Sequence, residues 1–278
     1  MTCRVKSVTL LLVSAYLWIL QPVYGHGDLH ERILATSQEI EAHPDSSFLY
    51  LKRGELYYQH IEYKKAIKDF KKCSSQGYVS TRLHLGYAKA YKGMGKLNKA
   101  KEALFTILFE DEEDVRALRL LGSVFFKMGR YEEAAKAFEK VIQFADKTFT
   151  ENYLEASFAW EKVESPLGME NAMKVIRTGI YHLGELMVFY DRLVELALKN
   201  QDYAAALEYQ NKLIDLSNRK ERVYYQRAKI QLEKGDKIAA KEDLNLATQA
   251  IEKLPARLKN IKSIKELESD IQTLLNSL

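Results

Sequence analysis

The residues best suited to chemistry in this chain are two histidines near its N-terminus, His26 and His30, with Asp28 between them. If His26 were the first residue of a processed chain, its amine and imidazole could bind one metal ion, and His30 could add a third nitrogen. The alternative is a frayed terminus in which Asp28 caps a helix. Because the spacing matches no specific metal site, a metal site is only a secondary hypothesis here.

No other pattern in the sequence predicts catalysis. The chain has no Gly-x-Ser-x-Gly motif and no cysteine and histidine within one helical turn, and its carboxylates alternate with lysines as on solvated helix faces. The glycines do not follow strand signals, as a dinucleotide or phosphate loop would require. We therefore expect a protein that is not an enzyme and has no cofactor.

A constant interval along the chain indicates which elements position the side chains. A small residue, an aromatic residue, an alanine and a bulky apolar residue each recur at this interval. The positions are Gly54, Ala88 and Gly122; Tyr57, Tyr91 and Phe125; Ala66, Ala100 and Ala134; and Phe70, Leu104 and Phe138. An interval of about 34 residues holds two antiparallel helices of about four turns each, and one pair cannot bury its apolar face alone. The pattern therefore predicts stacked helix pairs.

These positions resemble the tetratricopeptide repeat, whose first helix carries large-x-x-Leu-small-x-x-aromatic and whose second carries Ala-x-x-x-aromatic. The clearest copy starts at Val115, and two others start at Ser47 and Thr81. The first copy has Arg53 where leucine is usual. The resemblance implies an all-α fold: a right-handed α-solenoid of about six helix pairs, with a capping helix at each end and a concave groove that binds another protein or peptide.

The second half of the chain repeats in a shifted frame. Ala172, Ala206 and Ala240 again follow one another at the repeat interval, whereas the step from Ala134 to Ala172 is longer, which indicates four inserted residues. Proline and glycine within 165–168 predict that a lengthened turn holds them. We therefore assign repeats one to three to residues 47–148 and repeats four to six to residues 149–254, with the fourth divergent.

Both ends of the repeat array are predicted to carry a capping helix, because a terminal repeat would otherwise expose an apolar face. In residues 26–46, Leu29, Ile33, Leu34, Ser37 and Ile40 lie at helical spacing. In residues 255–278, apolar residues recur every three or four positions from Leu258 to the C-terminus. One amphipathic helix is therefore expected at each end.

Residues 1–25 have the composition of a secretory signal peptide. Arg4 and Lys6 precede an apolar stretch from Val8 to Leu20, and Gly25 provides a small residue for cleavage before His26. The alternative is a retained anchor, but this stretch would span only about 20 Å as a helix, against a hydrocarbon core of about 30 Å. We expect cleavage, export to the periplasm or the exterior, and no stable membrane insertion of the mature chain.

Cleavage would leave Cys73 as the single cysteine, so no intramolecular disulfide could form and packing alone would hold the helices together. The formal net charge of the whole chain is +4, and it falls to +2 without Arg4 and Lys6. This balance does not indicate nucleic-acid binding.

The resemblance also implies where a partner binds. Ligands of tetratricopeptide repeats usually contact the second, fifth, ninth, twelfth and thirteenth residues of the first helix. In repeats two and three these positions hold six basic side chains and no acidic one, whereas repeat one contributes Leu51 and Glu55. An acidic segment or a C-terminal carboxylate fits this bias, with aromatic residues as anchors, although a solvated helix face is the alternative. The implied binding residues are Phe48, Tyr58, Arg82, Lys89, Lys92, Arg116, Arg119, Phe126 and Lys127.

Two functions therefore remain open. The leading hypothesis is an exported, non-catalytic scaffold or adaptor that binds a peptide segment of another protein in its groove. The second is an exported metal-handling protein that uses His26 and His30.

Overall fold

The computed structural model describes residues 26–278, and every regular element among them is a helix. The predicted signal peptide, residues 1–25, lies outside the described residues. The chain divides between Glu112 and Glu113 into two compact parts. We call the described residues 26–112 the N-terminal module and residues 113–278 the C-terminal module.

The N-terminal module contains a leading helix and two helix pairs. Its helices are α1 (His26–Ala42), α2 (Ser47–Gln59), α3 (Tyr63–Ser75), α4 (Thr81–Gly93) and α5 (Leu97–Glu110). The pairs α2/α3 and α4/α5 are repeats one and two.

The C-terminal module contains four helix pairs and two terminal helices. Its helices are α6 (Val115–Lys127), α7 (Tyr131–Phe144), α8 (Thr150–Glu161), α9 (Pro166–Leu183), α10 (Met187–Lys199), α11 (Tyr203–Leu216), α12 (Glu221–Lys234), α13 (Lys237–Glu252), α14 (Ala256–Lys259) and α15 (Lys262–Ser277). The pairs α6/α7 to α12/α13 are repeats three to six.

In all six repeats the start of the second helix follows the start of the first by the same number of positions, as from Ser47 to Tyr63 in repeat one. The connections are short, which keeps the two helices of a pair antiparallel neighbours. Five connections pass through a residue with positive φ, at the same position in each repeat. These residues are Ile61, Gly95, Gly129, Gln201 and Gly235, with φ of 65°, 72°, 75°, 57° and 89°.

The two helices of a pair approach closely because the first helix carries a very small residue at the crossing. A Cβ atom added to Gly54 would lie 2.5 Å from the Phe70 ring, and one added to Gly122 would lie 2.7 Å from the Phe138 ring. The Phe70 ring also lies against Gly86 of the next repeat, where a Cβ atom would come within 2.8 Å. One aromatic ring therefore joins the two helices of its own repeat and packs against the next repeat.

The size of the small residue matches the size of its partner from repeat to repeat. Glycine occurs with phenylalanine in repeats one and three, and alanine occurs with leucine at the same positions in repeats two and six. These pairs are Gly54 with Phe70, Gly122 with Phe138, Ala88 with Leu104, and Ala228 with Leu244, all of them buried. The core is thus filled to a nearly constant volume, as close packing requires.

The prediction that a lengthened turn holds the inserted residues is wrong. Pro166 is the first residue of α9, and the Ser165 side chain caps the helix by accepting a hydrogen bond from the Gly168 amide at 3.1 Å. Proline suits this position because the first amide of a helix has no partner within it. Residues 166–168 therefore extend α9 at its N-terminus, and this helix has 18 residues against 14 in α7.

The divergent fourth repeat is joined to the fifth by a buried arginine. Arg192 in α10 donates hydrogen bonds to the Ser157 side chain at 3.1 Å and to Glu161 at 2.5 Å, both in α8. Its guanidinium also lies 3.9 Å from the centre of the Phe158 ring. Burial acts to raise the pKa of Glu161, but hydrogen bonds from Lys199 and Arg192 outweigh it and lower the pKa. An ion pair thus replaces part of the apolar contact between these repeats.

A second type of buried ion pair explains the departure at Arg53. Arg53 donates to both carboxylate oxygens of Asp69, at 2.7 and 2.8 Å, and Arg227 donates in the same way to Asp243, at 2.8 and 2.5 Å. Both pairs join the two helices of one repeat at equivalent positions, in repeats one and six. These hydrogen bonds raise the pKa of both guanidinium groups.

The terminal helices differ in detail from the predicted capping helices. In α1, Ile33 and Ile40 are buried as expected, but Leu34 is 51% exposed and Thr36 is buried in its place. At the other end, two helices replace the single one expected, because the chain is extended at Ile261 between α14 and α15. Within α15, Ile264, Leu267 and Ile271 form one apolar cluster with residues of α12 and α13, which include Ala228 and Leu244.

The pairing of a small residue with a bulky one predicts how the stability of the chain responds to a change in side-chain size. Gly122→Ala should destabilise the chain by about 1–2 kcal/mol, because the clash with Phe138 outweighs the gain of about 0.5–1 kcal/mol from replacing glycine inside a helix. Adding Phe138→Leu recreates the pair of repeat two and should recover part of this loss. Denaturant unfolding of the two single variants and the double variant measures the coupling, and purely additive effects would contradict the pairing.

The strained residue in the first connection predicts a stabilising change. Ile61 is β-branched, has φ of 65° and is 66% exposed, at a position where three other repeats have glycine. Ile61→Gly should raise the free energy of unfolding by about 0.5–1 kcal/mol, since the left-handed conformation costs about 1–2 kcal/mol for an L-residue and glycine gives back part of this in chain entropy. Gly95→Ile is the matched control and should destabilise. A loss of stability in Ile61→Gly would mean that the isoleucine side chain contributes contacts larger than its strain.

Candidate interaction surface

The first helices of repeats one and two, α2 and α4, are neighbours in the N-terminal module and bring two side chains of the predicted surface together, Phe48 and Arg82. Phe48 is half exposed, and the Arg82 guanidinium lies 5.9 Å from the centre of its ring. Arg82 also donates to both carboxylate oxygens of Glu55, at 2.7 and 2.6 Å. This bidentate contact raises the pKa of Arg82. The arginine is therefore exposed but already paired.

The other predicted residues of this module have different surroundings. Lys89 is exposed on α4, on the same helix as Lys92, which is partly buried. Tyr58 is also partly buried and packs against Tyr63, with ring centres 5.8 Å apart. Burial, and to a lesser degree Tyr63, raises the pKa of Tyr58. Phe48, Arg82 and Lys89 are thus the side chains most accessible to a partner in this module.

In the C-terminal module the predicted residues lie on α6. Asp114 precedes this helix and accepts hydrogen bonds from the Arg116 and Ala117 amides at 3.0 and 2.9 Å, and from the Arg116 guanidinium at 2.7 Å. Burial acts to raise the pKa of Asp114, but these hydrogen bonds outweigh it and the pKa is lowered. Arg119 donates to the Asn152 side chain of α8 at 2.9 Å. Both arginines already hold a polar partner.

The remaining two residues of this helix lie near its C-terminus. Phe126 is partly buried and packs edge-on against Tyr131, with ring centres 5.2 Å apart, whereas Lys127 is exposed. The nine predicted residues thus divide between the two modules, and each set forms a surface of its own. Because Arg82 and Arg116 pair with carboxylates, the unbalanced positive charge is smaller than the count of basic residues indicates.

Of the two histidines offered as metal ligands, only the side chain of His30 is described, and it is not part of a cluster of metal-binding groups. His30 lies beside His60, with ring centres 6.4 Å apart, and His60 Nδ1 is 2.9 Å from a carboxylate oxygen of Glu62. Among the described side chains, no three from histidine, cysteine, aspartate or glutamate come together as metal ligands. His26 begins α1, and its side chain is not among those described. The metal-handling hypothesis therefore gains no support.

A cavity in repeat five was not predicted from the sequence. It has a volume of about 470 Å³ and lies between α10, α11 and α12. Its lining includes Asp191, Val194 and Gln210. The sequence does mark this repeat as unusual: Gln210 stands one repeat interval before Leu244, so a polar residue occupies the position of the bulky apolar residue.

Among residues 26–278, no helix combines the length and the hydropathy needed to cross a membrane.

Comparison with known proteins identifies the repeats. Sequence profiles of the tetratricopeptide repeat match residues 85–147 and 221–253. These two ranges therefore match tetratricopeptide repeats, in agreement with the resemblance of the sequence. No curated protein matches it.

Solved structures agree with this result. The crystal structure of a tetratricopeptide repeat protein from Parabacteroides merdae aligns over 96% of both chains, with 17% identity and a TM-score of 0.53. The C-terminal part of a repeat-containing protein from Cytophaga hutchinsonii aligns over 86% of this chain and 97% of its own, with 16% identity and a TM-score of 0.66. At such identities the likeness concerns the fold, and the predicted all-α class of repeated helix pairs is confirmed.

Proposed function

We propose that this chain of tetratricopeptide repeats is a non-catalytic scaffold that binds a segment of a partner protein along the first helices of its repeats. The observation that carries the proposal is the surface of α2 and α4, where Phe48, Arg82 and Lys89 are accessible on adjacent helices. An aromatic side chain with a cation beside it, and a second cation further along the same helix, is suited to anchoring a segment with apolar and acidic residues.

The ion pair of Arg82 with Glu55 is compatible with an acidic ligand. Arg82 keeps 53% of its side chain exposed, and surface ion pairs contribute about 0–1 kcal/mol because water and salt screen them. A carboxylate of the partner can therefore replace Glu55 at little cost. In the C-terminal module, the exposed side chains of Arg116 and Lys127 give α6 a basic character of its own.

We further propose that the scaffold acts outside the cytoplasm, in the periplasm or as a secreted protein. This rests on the signal-peptide composition of residues 1–25 alone. Its partners would then be exported proteins, and their captured segments would meet the scaffold in the same compartment.

Export predicts a defined mature chain. We expect the protein recovered from the exported fraction to begin at His26 and to remain in the supernatant after carbonate washing, because Val8 to Leu20 is too short to span a membrane. Intact-mass measurement identifies the first residue. A mass that includes residues 1–25, or retention in the washed membrane, would contradict the proposal.

Acidic-segment binding predicts a response to charge reversal. The double variant Arg82→Glu/Lys89→Glu should lose most of the partners that the wild-type chain captures from its own compartment, with little change in melting temperature, because exposed charges contribute little to folding. Capture by the wild type should also weaken between about 50 and 300 mM salt, as the screening length shortens. Crosslinking followed by mass spectrometry measures both effects.

The matched control is Lys68→Glu/Lys71→Glu, which makes the same charge change at exposed positions on α3, a second helix of the same module. These variants should capture the same partners as the wild type. Loss of partners in both double variants would indicate a nonspecific charge effect, and retention in both would place the ligand elsewhere.

A further inference from the structure

The cavity of repeat five exists where the chain departs from its own packing rule. At the position of Phe70, Leu104, Phe138 and Leu244, repeat five has Gln210, and at the small position it has Val194 in place of glycine or alanine. Gln210 is 1% exposed, and its Nε2 donates to the Val223 carbonyl oxygen at 2.9 Å. A polar side chain thus occupies a core position that an apolar one fills in the repeats that follow the rule. Departures of this kind are expected at functional sites.

The cavity has an apolar interior and a charged rim. Gln210 and Ile230 are buried, and Val194 and Leu198 are partly exposed, so aliphatic carbon forms much of its wall. Asp191 and Glu233 are also part of the lining, and Asp191 is exposed. The lining therefore offers contacts both to hydrocarbon and to a charged group.

The rim carries two carboxylates that have no ion-pair partner in the described part of the chain. Asp191 and Glu233 form no hydrogen bond or ion pair there, whereas the third carboxylate of the lining, Glu195, is held by Arg192 and Lys199 at 2.8 and 2.9 Å. The one cation of the lining is Lys229, whose Nζ lies 5.9 Å from the centre of the Tyr225 ring. Although Asp191 is exposed at the rim, the protein around its carboxyl raises its pKa, which is the effect of desolvation without a compensating cation.

We infer that this cavity binds a lysine or arginine side chain of a partner segment, with its aliphatic stem against Val194 and Leu198 and its cationic group paired with Asp191. Both side chains combine a hydrocarbon stem with a charged end, and they bury the first while pairing the second. The inference rests on the proposed scaffold function. It adds a second binding surface for a basic side chain, and the charge of this surface is opposite to that of the surface of α2 and α4.

Selection from a displayed library of random linear peptides on the full-length protein tests this inference. Peptides recovered through the cavity should share a lysine or arginine next to apolar residues. For one synthetic peptide of this group, replacing the basic residue by norleucine, which keeps the stem and removes the charge, should weaken binding in fluorescence anisotropy by about tenfold, as expected for loss of a charge-assisted contact.

Variants of the protein locate the contact. Asp191→Asn should weaken binding of the same peptide by about tenfold without lowering the melting temperature, because the substitution removes a carboxylate that partial desolvation disfavours. Glu208→Gln is the matched control: it removes one exposed charge on α11 outside the lining and should leave affinity unchanged.

The outcomes separate this inference from the scaffold function. Selected peptides that lack basic residues, or that bind Asp191→Asn as tightly as the wild type, would overturn the inference alone. Peptides that are acidic and lose affinity only in Arg82→Glu/Lys89→Glu would do the same while supporting the proposed function. Recovery of no binding peptide would count against both.

Discussion

The close approach of two helices across a missing side chain is the constraint on which the rest of this structure depends. The rings of Phe70 and Phe138 occupy the space where a Cβ atom of Gly54 or Gly122 would stand. Because the Phe70 ring also lies against Gly86 of the following repeat, packing within a pair and packing between pairs share one side chain. Such coupling suits a chain that buries one core per repeat, since no helix pair can cover its apolar face alone.

Repeats four and five depart from this constraint, and each does so in a different way. In repeat four, the buried Ser157 lies beside Arg192 of repeat five. The Arg192 guanidinium is satisfied by a hydrogen bond with Ser157 and an ion pair with Glu161. A buried charge without such partners would be strongly destabilising. In repeat five, Val194 and Gln210 replace the usual pair of a small and a bulky apolar residue, and both line a cavity. The C-terminal module therefore combines regular packing at repeats three and six with two specialised repeats between them.

The electrostatics of the first helices follow from local pairing more than from the count of charges. Arg82 and Arg116 are basic residues on exposed positions, but Glu55 and Asp114 lie within hydrogen-bonding distance of them. Asp191, in contrast, is one carboxylate among many in the sequence, and no other described group pairs with it. An exposed pair contributes little to stability and is readily exchanged, whereas an unpaired, partly desolvated carboxylate gains most from an incoming cation.

The sequence by itself determined the helix pairs, because its constant interval repeats both the small residue and the bulky residue that must meet, and this contact is local in the chain. It also identified the displaced frame at Ala172. Only the tertiary structure decided that the inserted residues around Pro166 extend a helix, since proline and glycine favour a helix start as readily as a turn. It also decided that Leu34 faces solvent, that two helices end the chain, and which charges are paired. Those outcomes depend on neighbours far away in sequence, such as Arg82 beside Glu55 and Arg192 beside Glu161, and a pattern along the chain does not contain these distances.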